Sequence, residues 1–182
     1  MTSAPQRLAR PDDAPVIAQL MRTSVLELFP RFYDERQVAS AALYIARLDE
    51  QLIADGTYFV HEAGAEIVAC GGWSRRHRLH AGAGAAADDD RLLDPRVEPA
   101  RVRAMFVRAD WTRRGLGRAI LESCSQAARA EGFTRLALMA TLPGEQLYRA
   151  YGFRELARPM LTLPDGVVVE GVAMEREIVP AG

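Results

Sequence analysis

The sequence predicts an α/β fold, a mixed and partly antiparallel sheet of about seven strands with helices on both faces. Three observations lead there. Two helical stretches open the chain. Two hairpin signals follow, one at Gly64 and one at Pro164-Asp165-Gly166. Between them runs a strand-helix-strand succession, RVRAMFV at 101–107, an amphipathic stretch at 115–132, and FTRLALMAT at 133–141.

Taken in order, QRLAR reads as a short strand, and the Pro11-Asp12-Asp13 signal starts a helix through the LELF segment. Asp34 and Gln37 have the spacing of a capping box, and Val38, Ala41, Ala42, Ile45, Leu48 and Leu52 keep the helical period until Gly56. One helix is therefore expected across that stretch. TYFVHEAGAEIVACGGWS gives two strands around Gly64. Residues 75–99 have no regular pattern, and a loop of that length is usually functional or mobile. The helix after Gly115 buries Leu116, Ile120, Leu121, Cys124, Ala127 and Ala128 and closes at Gly132. GEQLYRAYGF is a short helix ending at Gly152, and the tail is a hairpin of ARPMLTL with VVVEGVAMEREI.

A chain of 182 residues with 49% hydrophobic residues fits one domain, expected over residues 5–179, with neither repeat nor linker. A net charge of −1 argues against a general nucleic-acid binder. The N-terminus carries no apolar targeting segment and no run approaches membrane-spanning length, so a cytoplasmic protein is expected. Cys70 and Cys124 lack metal-ligand spacing and read as buried, reduced thiols. Asp88, Asp89 and Asp90 in an Ala/Gly loop read as a solvated tip, and no metal is expected.

The chemistry concentrates in MFVRADWTRRGLGRAIL. A strand passes through a polar loop into a helix whose first turn holds Gly115 and Gly117. The first N–H groups of a helix lack internal partners and carry partial positive charge, and glycines let a bulky anion approach them. Arg113, Arg114 and Arg118 crowd the same helix start, where cations oppose the dipole unless an anion lies between them. A dinucleotide fingerprint would need glycine where Ile120 stands, and no Gly-Lys-Ser/Thr of a P-loop is present.

The six residues TRRGLG resemble the pyrophosphate loop of the GCN5-related N-acetyltransferase (GNAT) family, Gln/Arg-x-x-Gly-x-Gly/Ala, with Thr112 in the usual Gln/Arg place. LYRAYGF at 147–153 is similar to the family's Leu-Tyr-x-x-x-Gly-Phe, and a final strand carries MER. The resemblance implies a GNAT-like fold and acetyl transfer from acetyl-CoA to an amine acceptor, a small molecule, in a ternary complex. It implies that neighbouring parallel strands at 101–108 and 134–141 splay apart. The pantetheine arm would then pair with the backbone of Met105 and Val107 as an added strand does. Phe106 lies between them. Arg113, Arg114, Gly115, Leu116, Gly117 and Arg118 would form the pyrophosphate cradle.

Within that resemblance, a backbone N–H near Phe106 or Val107 is the expected oxyanion donor, and Tyr148 the proton donor to the leaving thiolate. Many relatives carry a glutamate on the strand before the cradle, which RVRAMFV lacks. Glu98, His77, His80 or a water chain remain as the base. For the acceptor, Phe29, Phe32 and Tyr33 offer an apolar wall with Glu27 and Asp34 beside it, and Arg75, Arg76 and Arg78 a place for a carboxylate or phosphate. A non-catalytic acyl-CoA sensor of the same fold is the alternative, and the chain is expected as monomer or homodimer.

Overall fold

The computed structural model describes residues 3–78 and 90–180. Helix α1 (Ala14–Leu28) follows strand β1 (Gln6–Leu8) and a 3₁₀ turn at Pro11–Asp13. It buries Ile17, Leu20, Met21, Ser24 and Val25, the stripe that a 3.6-residue period brings to one face. Helix α2 (Glu35–Tyr44) starts at the capping box: Gln37 N–H donates to Asp34 Oδ1 at 2.8 Å, and the Asp34 N–H donates to Gln37 Oε1 at 2.9 Å.

The expected single helix to Gly56 is in fact two. Ala46 N–H bonds to Ala41 O, one carbonyl farther back than helix continuation requires, and the chain leaves the helix after Ile45. Asp49 Oδ1 then accepts from Gln51 N–H at 3.1 Å as α3 (Gln51–Ala54) begins. The apolar period continues across the break, but the turn and Asp49 override it.

The sheet runs β1, β2 (Tyr58–Ala63), β3 (Glu66–Ser74), β4 (Ala100–Val107), β5 (Arg135–Thr141), β8 (Val168–Glu177), β6 (Arg154–Ala157). A short β7 (Met160–Thr162) pairs with the far end of β8. The segment read as one strand over 157–163 is thus divided between β6 and β7, giving eight strands. Pro159 lies at the division, where it cannot donate to a ladder.

Helix α4 (Leu116–Ala130) crosses between β4 and β5, the parallel pair, and α5 (Glu145–Tyr151) follows β5. Two cores form, one on each face. The α1–α2 face packs Met21, Val25, Phe29 and Ala41 against Val60 and Cys70. The α4–α5 face packs Ile120, Leu121 and Cys124 against Trp73, Leu136 and Met174. Both cysteines are free and buried, and burial pushes the Cys70 thiol up to about 12, which makes it an inert core residue. Among the described residues no helix is long and apolar enough to cross a membrane.

Candidate active site

The site is built where β4 leaves its neighbours. β4 and β5 pair only at Ala100 with Leu136 and Arg101 with Ala137, although β4 continues to Val107 and β5 to Thr141. Past that point the two strands part. On its other edge β4 stays with β3, through a register shift between Cys70 and Gly72. Opposite the shift, Ala104 holds φ of 52°, a left-handed conformation uncommon for a residue with a Cβ. The shift reverses the alternation of side chains. Val102 packs on the α4–α5 face, then Ala104 and Phe106 on the α1–α2 face, and Met105 and Val107 on the α4–α5 face again.

Two hydroxyls fix this irregular backbone. Buried Tyr58 donates to Ala104 O at 2.6 Å, and Ser24 on α1 donates to Val107 O at 2.9 Å. Phe106 pairs opposite Cys70, and Arg108 N–H donates to Val68 O on β3. By the two-residue period of a strand, the backbone groups of Met105 and Val107 turn toward β5, where no ladder meets them. The Val107 carbonyl is held by Ser24, which leaves its N–H facing the gap.

A cavity of about 860 Å³ occupies the gap and is lined by residues from both faces of the sheet. On the α4 side it is lined by Arg113, Gly115, Leu116, Gly117 and Arg118, with Met105, Phe106 and Val107 along its wall. Gly115 caps α4 with φ of 83°, and a Cβ on Gly117 would come within 2.7 Å of Leu147 Cδ2. The turn needs glycine at 115, while a side chain at 117 would crowd the end of Leu147 and take space at the helix start. Neither Arg113 nor Arg118 has a carboxylate within 4.0 Å among the described residues, and Arg118 lies 5.4 Å over the Tyr151 ring. Arg114 is placed differently. It sits 4.3 Å over Trp111, donates to Asp110 O at 3.1 Å, and does not line the cavity.

Tyr148 lines the cavity from α5, packed edge-on against Phe153 at 5.8 Å. Its hydroxyl has no hydrogen-bond partner among the described residues, and burial pushes the phenol above its usual value. It therefore remains protonated through the neutral range. Tyr151, by contrast, donates to Glu122 at 2.9 Å and belongs to the core.

The expected acceptor arginines are not at the cavity. β3 is antiparallel to β4, so its end at Ser74 pairs with Arg101, at the closed end of the gap. Arg75 is held bidentate by Glu131 at 2.9 and 2.6 Å, and Arg76 by Asp55 at 2.8 and 3.0 Å. Arg78 lies 4.0 Å from Asp49. Asp34 is consumed by its cap, Tyr33 donates to Glu170 O and accepts from Leu142 N–H, and Phe32 is exposed. Of the aromatic wall only Phe29 reaches the cavity, and Glu27 does not line it. Glu98 is bound by Arg91, which holds its carboxyl down to about 2, and neither it nor His77 lines the cavity. His80, Asp88 and Asp89 lie outside the described residues. Among those described, no three metal-ligating side chains converge.

Sequence reasoning missed Ser24, Tyr58, Arg47 and Arg103. Arg103 had a signal, an arginine inside an otherwise apolar strand segment. Ser24 and Tyr58 had none, because each acts on backbone far away in the chain.

A family model described as an acetyltransferase (GNAT) domain matches residues 54–155, just over half of the chain. Among curated proteins no relative matches. Among solved structures, the GCN5-related N-acetyltransferase from Rhodopseudomonas palustris is similar over 97% of this chain and 97% of its own, with TM-score 0.73 and 18% identity. PaiA N-acetyltransferase from Thermoplasma acidophilum, in complex with coenzyme A, covers 96% and 99% at TM-score 0.63 and 11% identity. YncA from Salmonella typhimurium, with its cofactor acetyl-CoA, covers 100% and 97% at TM-score 0.62 and 15% identity. At such identities these likenesses establish the fold, and the family match reaches from α3 through the parted strands and the arginine-flanked start of α4 to β6. The chain belongs to the GNAT acetyltransferase family.

Proposed function

We propose that this protein is an acetyl-CoA-dependent N-acetyltransferase, one domain over residues 5–179, that acetylates a small-molecule amine by direct transfer in a ternary complex. The observation that carries this reading is the gap itself. An unladdered strand edge at Met105 and Val107 leads to a glycine-lined helix start flanked by two cavity arginines without carboxylates. That combination fits a ligand with an amide-bearing arm and a pyrophosphate, which coenzyme A has. The solved relatives holding coenzyme A or acetyl-CoA support the same reading.

Acetyl-CoA supplies an activated thioester. In this chain, Met105 and Val107 would pair with the pantetheine amides, and the N–H groups from Arg113 to Arg118, with the Arg113 and Arg118 side chains, would hold the pyrophosphate. Because the Phe106 amide faces β3, the oxyanion donor would be whichever N–H of Met105 or Val107 the pantetheine arm leaves free, fixed beforehand by its place in the sheet. The Tyr148 hydroxyl would donate to the leaving sulfur, and the proton lost by the attacking amine balances the one the sulfur gains.

A non-catalytic acyl-CoA sensor is the second reading, favoured by one observation: among the described residues lining the cavity there is no carboxylate and no histidine to act as base. One experiment separates the two. Acetyl-CoA at 100 times its dissociation constant should stabilise the protein by about 2.7 kcal/mol, well beyond the effect of NAD or ATP. Free thiol should then appear on addition of an amine. Stabilisation without thiol release across a broad amine panel supports the sensor, and no stabilisation removes both readings.

A further inference from the structure

The charges on the cavity wall are all of one sign. Its described lining carries Arg47, Arg103, Arg113 and Arg118, and no Asp, Glu, His or Lys. Arg113 and Arg118 flank the α4 start and are assigned above to the pyrophosphate. Arg47 and Arg103 remain, and they belong to the other face. Arg47 lies on the link between α2 and α3, beside Ile45, and Arg103 reaches Asp49 on the same link.

Arg103 is a charge held out of water with thin compensation. Its side chain is 2% exposed, and its hydrogen-bond partners among the described residues, Asp49 Oδ2 and Arg78 O, both lie at 3.4 Å, long for charged hydrogen bonds. Asp49 is shared, since Arg78 stands 4.0 Å from the same oxygen. Burial lowers the Arg103 pKa, yet a guanidinium stays charged in a protein. Arg47 is exposed and has no carboxylate within 4.0 Å among the described residues. The remaining wall on this face is mainly apolar, with Leu28, Phe29, Ile45, Leu161 and Leu163 beside the hydroxyls of Ser24 and Thr162.

Building on the acetyltransferase reading, we infer that the acceptor is an amine that also carries a carboxylate on a mainly apolar body, as a free hydrophobic α-amino acid does, and that Arg47 binds that carboxylate. Arg103, buried within the wall, contributes as a field and not as a contact. The same positive field serves the chemistry, because nearby cations favour the neutral form of an amine, the form that attacks. It also disfavours polycationic acceptors, which would bring like charges to a wall without a carboxylate.

The test compares acceptors that differ only in charge. Wild-type protein with acetyl-CoA is given L-phenylalanine, L-phenylalaninamide, phenethylamine and spermidine, with thiol release as readout. The acid should have a kcat/KM at least about 10-fold above its amide, the factor expected of one charged hydrogen bond. Arg47→Gln should bring that ratio close to one, and Arg47→Lys should restore part of it. A second measurement needs no turnover: binding of N-acetyl-L-phenylalanine and its amide, with and without coenzyme A, should show the same preference and the same loss in Arg47→Gln. Equal handling of acid and amide, a preference for spermidine, or a preference that survives Arg47→Gln would overturn the inference. If coenzyme A stabilises the protein and an amine still releases thiol in those cases, the transferase reading survives. Absence of that stabilisation sinks the transferase reading instead.

Discussion

Arg75 and Arg76 leave the end of β3 as a pair, and Arg113 and Arg118 flank the first turn of α4. In sequence both are basic clusters beside a strand end, and each suggests an anion site. In the folded chain they differ in what surrounds them. Arg75 and Arg76 meet Glu131 and Asp55, 56 and 21 positions away, in two bidentate pairs. Arg113 and Arg118 meet no carboxylate among the described residues and line a cavity at a helix start that already favours anions. The lesson is that an arginine cluster marks a ligand site only where the fold supplies no carboxylate, a property of partners distant in the chain.

If the uncompensated cluster holds the cofactor, the largest effect comes from the Tyr148 hydroxyl, which shares that cavity and has no hydrogen-bond partner among the described residues. Tyr148→Phe should lower turnover by about 10²- to 10⁴-fold while leaving acetyl-CoA stabilisation in place. Turnover within a factor of two of wild type would make Tyr148 a packing residue against Phe153.

Next in size is the exchange of roles between the two clusters. Replacing Arg113 and Arg118 together by glutamine should raise the KM for acetyl-CoA by roughly 10- to 150-fold, the range of hydrogen bonds to charged groups. Folding should hardly change, since no ion pair is broken. An unchanged KM would mean that both side chains extend into solvent.

The smallest effect belongs to the compensated cluster. Arg76→Gln leaves the Asp55 carboxylate, 9% exposed, without its main partner, and should cost about 1 kcal/mol with the KM for acetyl-CoA unmoved. The pH dependence sharpens this. Arg76 holds the Asp55 carboxyl below its ordinary 3.8, so the stabilisation is fully present above about that pH and fades as pH falls through the lower folded value. As pH falls below about 4 the wild type should therefore lose more stability than Arg76→Gln. Parallel curves would show that the pair contributes nothing.

What could be read in advance follows the same division between local and distant causes. The Asp34–Gln37 cap, the turn at Gly64, and the span of α4 from Gly115 to Gly132 are local, and their residues declare them. The glycines at the start of α4 were legible for that reason too, because they act through their own backbone. The break after Ile45 was not, since Leu48 and Leu52 keep the apolar period that Asp49 and its neighbours override. Nor was the irregularity in β4. Its left-handed residue is an alanine, and the Tyr58 hydroxyl that holds it comes from another strand. The misplaced acceptor arginines had the same origin: only strand direction shows that Ser74 lies at the closed end of the gap.

The short contact between β4 and β5 also has a mechanical meaning. Among the described residues, two register pairs are all the ladder that joins the β1–β4 half of the sheet to the β5–β8 half, against seven between β5 and β8. Across that seam, beyond Ala100 and Arg101, the two halves are held by packing and not by backbone hydrogen bonds. A ligand that completes the missing ladder then serves as cross-brace as well as reactant. Seated cofactor would tighten motions across the whole domain, while an empty gap leaves the halves coupled mainly through α4 and the two cores.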